Sequence, residues 1–403
     1  MATSLAIMLI LGLGANALFT KLKLPGLLGM LILGVIVGPY VLNWLDADTL
    51  RLSGDFRKIA LIIILLRAGL GISREDLNRV GATAVKLSCI PGIVEGFTIA
   101  FVSVKLLGFT FIEGGILGFI IAAVSPAVVV PQMLHYLENG IGTNKGIPTL
   151  ILAGSSIDDV FAITLFTTFL GLYSGTHVNI GIQILSIPVS ILLGIVLGVI
   201  IGLAMVKLFK IYHIRDTRKV LLILGAAILL TVIENALKNK LEIAGLLGVM
   251  TIGFIILEKR PEVARRLAEK FNKIWIFAEI LLFVLVGAQV NISVALHAGL
   301  TGLVVIFTGL MGRSAGVIIS TLGTNLNWKE RLFCVISYVP KATVQAAMGA
   351  IPLGLGVPSG ELILAIAVLS ILVTAPLGAI AIKASAKRLL VYSGLDNGTN
   401  AEK

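Results

Sequence analysis

The chain has 403 residues, of which 57% are hydrophobic and 13% charged, and a formal net charge of +11. Soluble domains carry about 25% charged residues, so a mean hydropathy of +1.05 excludes an ordinary soluble globule. The excess positive charge sits in short loops between apolar runs, where orientation signals belong, so no nucleic-acid partner is expected.

Apolar runs of about 20 residues recur along the chain, each long enough to cross a 30 Å hydrocarbon core as a helix. The short alternating segments of a spanning β-barrel are not seen. The expected fold class is therefore an all-α polytopic membrane protein. In chain order the predicted spans are 3–20, 25–44, 57–73, 81–106, 111–136, 146–174, 179–209, 218–236, 241–257, 272–291, 295–322, 331–352 and 360–384, thirteen in all. The first has no basic segment before it, so a cleaved signal peptide is not expected. Loops after odd-numbered spans hold 23 of the 32 Lys and Arg residues. By the positive-inside rule this places the N-terminus outside and the C-terminus in the cytoplasm of a bacterial-type inner membrane. Cys89 and Cys334 lie in apolar surroundings, and His135, His177, His213 and His297 are too scattered to form a metal centre.

Two spans stand apart. The fifth contains Ser125-Pro126 and Pro131, and the twelfth contains Pro340-Lys341, Thr343, Gln345 and Pro352. A proline inside a helix removes a hydrogen bond and clashes with the preceding turn. The freed carbonyls must then face protein or water. The two spans are seven apart, an odd offset that gives them opposite orientations. Spans 1–6 and 8–13 thus read as inverted-topology repeats joined by span 7, with two broken helices meeting where transporters place their ions.

Ionisable residues inside spans cost about 2.5–3.5 kcal/mol each and are rarely incidental. The mid-span set is Glu95, Asp158, Asp159, Arg313 and Lys341, with Glu279 and Arg67 nearer span ends. Adjacent helical residues point about 100° apart, so Asp158 and Asp159 need different partners. Asp159 shares its face with Ser155 and Ser156, one turn earlier. With Ser125 and the loosened carbonyls, these oxygens suit a hard cation such as sodium or lithium. A carboxylate there holds a proton or a cation but not both, and that competition is sufficient for exchange. Arg313 and Lys341 are the countercharges; arginine neutralises without carrying the proton, whereas lysine can do either. Glu95 is expected to pair with Arg313 and so leave the aspartates less encumbered.

These motifs resemble the cation:proton antiporter superfamily, specifically the two-aspartate sodium/proton antiporters near the animal sodium/hydrogen exchanger-like domain branch. The likeness rests on the stretches around Arg67, Pro91 to Glu95, Ser125-Pro126 to Pro131, Asp158-Asp159, and Pro340-Lys341 to Gln345. It implies a homodimer, Asp159 as main ion ligand and Asp158 as its helper. It also implies a dimerisation domain in two parts, 1–75 and 213–292, and a mobile core in two parts, 76–175 and 293–387. Residues 176–212 would form a linker helix and 388–403 a short cytoplasmic tail. Many bacterial relatives carry a lysine where this eleventh span offers Arg313, which bears on stoichiometry.

The expected function is sodium(lithium)/proton antiport by alternating access, with no enzymatic activity and no cofactor. A sodium- or proton-coupled solute symporter and a potassium/proton antiporter are the alternatives. An intramembrane aspartyl protease fits poorly, because its two carboxylates share a proton from different helices. A passive channel would favour rings of carbonyls or charges from repeated subunits.

Overall fold

The computed structural model describes residues 1–175, 180–212, 214–237 and 242–391. His177, His213, Lys238, Lys240 and the expected tail beyond 391 lie outside the described residues. Within them are eighteen α-helices and no β-strand. The first half contains α1 (Ala2–Lys21), α2 (Gly26–Val37), α3 (Ala47–Arg51), α4 (Ser53–Gly69), α5 (Arg74–Leu107), α6 (Phe111–Ala122), α7 (Pro126–Glu138) and α8 (Ile147–Tyr173). Then follow α9 (Ile180–Ile211), α10 (Asp216–Leu237), α11 (Gly245–Lys259), α12 (Pro261–Ala288) and α13 (Ile292–His297). The last are α14 (Gly299–Thr321), α15 (Trp328–Ser337), α16 (Thr343–Met348), α17 (Ile351–Gly354) and α18 (Gly360–Leu389).

Among the described residues, nine stretches are long and apolar enough to cross a membrane, one of them the interrupted α6–α7 pair. The other four predicted spans fall on shorter elements: α2, α4, α11 and the α15–α17 series. The second span differs most from expectation. Its helix stops at Val37, because Gly38 turns extended and Pro39 follows; the residue before a proline is steered out of the helical region. Pro91 and Pro188, by contrast, lie inside continuous helices.

Two groups of helices organise the packing. In one, α5 lies against α6, α8 and α14; in the other, α12 packs on α2 and α4, and α11 packs on α4 and α9. Both rely on missing side chains for close approach. A Cβ on Gly316 of α14 would sit 2.6 Å from Pro91 Cα of α5, and one on Gly253 of α11 would sit 2.6 Å from the Leu66 carbonyl oxygen of α4. Without a hydrophobic force between helices in lipid, such small-residue contacts supply the packing.

The proline-bearing spans are both interrupted. α6 ends at Ala122, Ala123 and Ser125 are extended, and Pro126 opens α7 at the position where a missing N–H costs nothing. α15 ends at Ser337, and α16 restarts only at Thr343. The two breaks touch: the Ser125 amide donates to the Pro340 carbonyl at 2.8 Å.

Polar side chains close the ends that the breaks leave open. The Gln345 amide nitrogen donates to the carbonyls of Ile120 (3.0 Å), Ile121 (3.3 Å) and Ala123 (2.9 Å). The Thr374 hydroxyl accepts from the Lys341 amide at 2.9 Å. Replacing Gln345 by leucine should cost about 1–3 kcal/mol for each of these acceptors left without a partner. A drop in the detergent melting temperature is the expected readout; an unchanged melting curve would mean that water replaces the amide.

Candidate functional site

Four elements converge beside the crossing. α5 brings Glu95, α8 brings Asp158 and Asp159, α14 brings Arg313, and the break before α16 brings Lys341. Glu95, Asp158, Arg313 and Lys341 are all buried. Arg313 is the hub. One guanidinium nitrogen donates to Glu95 Oε2 at 2.6 Å and to the Ala122 carbonyl. The other reaches both carboxylate oxygens of Asp158, at 3.0 and 3.1 Å. The ring of Tyr338 lies under the guanidinium, 5.2 Å from centroid to Cζ. Lys341 Nζ donates to the same Glu95 oxygen at 2.6 Å and to the Ala122 carbonyl at 3.5 Å. Asp158 Oδ2 also accepts from the Val124 amide at 2.8 Å. The helix break therefore supplies a backbone donor to Asp158 and a backbone acceptor to both cations.

The charges within this cluster balance. Two carboxylates, Glu95 and Asp158, face two cations, Arg313 and Lys341. Asp159 is the fifth member and differs from the rest. It makes no ion pair among the described residues, and its Oδ1 is buried without a hydrogen-bond partner. Ser156, on the same helical face, donates to the Leu152 carbonyl at 2.7 Å and touches Met250 Sδ of α11 at 3.6 Å. Ser155 donates to Leu152 at 3.3 Å. With their protons so directed, both hydroxyls keep lone pairs to offer. Ser125 Oγ is buried and unpartnered.

Three expectations change in detail. Arg313 does pair with Glu95, but it also grips Asp158, so the helper aspartate is encumbered. The 100° offset fixes where each side chain points, not what another helix places there. Lys341, read as a countercharge with no partner named, pairs with Glu95 and reaches the helix-end carbonyl of Ala122. The carbonyls of Ile120 to Ala123, read as loose ion ligands, already accept from Gln345, Arg313 and Lys341. Of the remaining residues singled out, Pro126 opens α7, Pro131 lies inside it, Pro340 meets Ser125, and Thr343 opens α16.

Sequence reasoning missed Val124, Ala122, Thr374 and Tyr338. The two backbone contributors carry no side-chain signal. Tyr338 comes to light only in the structure, where its hydroxyl fills the space a Cβ on Gly154, a turn before Asp158, would need.

The family model for the transmembrane sodium/hydrogen exchanger matches residues 5–388. Human sodium/hydrogen exchanger 9B2 is 35% identical over 406 residues, covering 94% of this chain and 72% of that protein. Human sodium/hydrogen exchanger 9B1 is 32% identical over 377 residues, covering 89% and 71% respectively. Among solved structures, the sodium proton antiporter MjNhaP1 from Methanocaldococcus jannaschii at pH 8 superposes with a TM-score of 0.78, covering 96% of this chain and 97% of that one. At 20% identity that likeness speaks for the fold alone. The match over nearly the whole length, by model and by relatives, makes this chain a member of the sodium/hydrogen exchanger family.

Proposed function

We propose that the protein exchanges sodium for protons, with cation and proton competing for Asp159. One observation carries the reading: Glu95, Asp158, Arg313 and Lys341 pair with one another, and Asp159, the fifth member of the cluster, makes no ion pair among the described residues. Ionised carboxylate in a membrane interior is costly. It must be neutralised by a proton or by a cation, one for one. Ser155, Ser156 and Ser125 are the neutral oxygens assigned to help it, and lithium, as the smaller hard cation, is the second substrate. Asp158 serves as a fixed anchor for Arg313.

The same reading includes thirteen crossings arranged as inverted repeats and alternating access around the crossing. Residues 76–175 and 293–387 form the moving core, and 1–75 and 213–292 form a homodimer scaffold. α5 packs chiefly on α6, α8 and α14, whereas α12 and α11 pack chiefly on α2, α4 and α9, with a small contact between α8 and α11, and this supports that division. The charge asymmetry of the loops supports an outside N-terminus and a cytoplasmic C-terminus. The two exchangers named above at 35% and 32% identity are human proteins, so a bacterial-type inner membrane has no support from them; the multi-pass membrane character stands.

Reconstitution into liposomes tests the central point. Sodium gradients should drive proton movement without any organic substrate. Where protons occupy the site, apparent sodium affinity should rise about tenfold per pH unit, the slope of one-for-one competition. Because only one carboxylate changes charge, clamping the membrane potential with potassium and valinomycin should leave the initial rate unchanged. A rate that follows the potential would show that a second group, Asp158 or Lys341, also titrates.

A further inference from the structure

Away from the Asp159 site, a cavity of about 350 Å³ opens between the start of α5, the turn before α8 and the loop joining α14 to α15. Its polar lining is Arg79, Thr83, Asn144, Lys145, Thr324 and Asn325, with no carboxylate among the lining residues. Arg79 is positioned by its bond to the Asn144 carbonyl at 2.9 Å, and Lys145 by Glu330 at 2.8 Å. Next to the lining loop, Arg331 donates one nitrogen to the Thr324 carbonyl at 3.3 Å and keeps a buried Nε with no acceptor.

We propose that this cavity binds a phosphate ester, with Arg79 and Lys145 as its charged ligands and Thr83 and Asn325 as neutral donors. A guanidinium fork and an ammonium set beside hydroxyl and amide donors form the usual chemistry for phosphate oxygens. Leu322 and Trp328, 52% and 65% exposed, flank the loop that lines the cavity. An exposed tryptophan marks headgroup depth, and basic pockets between helices on a cytoplasmic face take anionic headgroups. The favoured source is therefore a phosphorylated lipid headgroup. Lys145 leads directly into α8, which bears Asp159, and Glu330 stands in the first turn of α15, which leads to the broken segment. A ligand there pins the cytoplasmic ends of two elements of the ion site.

The proposal goes beyond the antiport reading, and its test needs no transport. Binding is measured with the full chain in phosphatidylcholine nanodiscs, with and without phosphatidylinositol phosphate, and in detergent with soluble inositol trisphosphate. Saturable, salt-sensitive binding is expected, weakened about tenfold or more by Arg79→Gln. Because Lys145→Gln also unpairs Glu330, Thr83→Val serves as the second, uncharged variant and should weaken binding as well. Arg51→Gln, a change to an exposed arginine on α3, should leave it unchanged. Binding confined to the nanodiscs identifies a lipid headgroup, and equal binding of the soluble probe identifies a free phosphate ester. No saturable binding of either probe, unchanged binding in Arg79→Gln, or an equal loss in Arg51→Gln would overturn the site.

Discussion

Asp159→Asn is expected to abolish sodium-driven proton exchange in proteoliposomes while leaving the fold intact. The substitution keeps the shape and removes both the charge and the exchangeable proton. Asp159 has no ion pair to lose, so the melting temperature should hold or rise, since an uncompensated carboxylate is removed from the membrane interior. Asp158→Asn should behave in the opposite way. It removes the charge and one of the two oxygens that accept from Arg313, leaving a single amide oxygen for Arg313 and Val124, so stability should fall, with residual exchange remaining. Robust, pH-dependent exchange by a folded Asp159→Asn protein would place the ion elsewhere.

Arg313→Gln should produce the largest loss of stability. Removing one partner from a buried ion pair costs about 3–5 kcal/mol, because the other charge is left uncompensated. Arg313 serves two carboxylates and a helix-end carbonyl at once, so this substitution belongs at the upper end of that range. Glu95→Gln should cost less. It leaves Arg313 with Asp158, and Lys341 can exist as a neutral amine whereas an arginine cannot. The double variant should recover part of the loss, with a coupling of about 0.5–3 kcal/mol as expected for contacting groups. Thermal or denaturant unfolding of the four proteins in one detergent measures the cycle. Strictly additive losses would contradict the direct contact.

How much of this was legible beforehand differs from residue to residue. Asp158 and Asp159 announced themselves, because charge inside an apolar run has few bland explanations. The breaks at Ser125 and Pro340 were equally plain, since proline leaves a chemical trace in a helix. The partnerships were not. Glu95 and Arg313 are 218 positions apart, and periodicity along one helix says nothing about which neighbour fills its groove. Thr374 shows why. Its hydroxyl donates to the Ser370 carbonyl at 2.7 Å, as threonines in membrane helices commonly do. That the same oxygen also receives the Lys341 amide depends on how α18 lies against the break. Similarly, hydropathy located a span near α2 and another near α15–α17 but could not see where each helix stops.

The occupied carbonyls of Ile120 to Ala123 have a kinetic consequence. Under the antiport proposed above, an ion at Asp159 meets an Ala122 oxygen already taken by Arg313 and Lys341, and oxygens of Ile120, Ile121 and Ala123 that each keep one lone pair beside the Gln345 amide. The shell that proposal implies rests mainly on one carboxylate, a few hydroxyls and retained water. Such a shell holds an ion loosely; at millimolar affinity the binding free energy is only about 4 kcal/mol. A transported ion must leave as readily as it arrives, so a sparse shell favours short dwell times and rapid turnover. It also discriminates little by size, since retained water adjusts where a rigid carbonyl cage would not. Sodium and lithium should therefore compete at similar concentrations, and the ion should be released partly hydrated, with little dehydration energy to recover at each cycle.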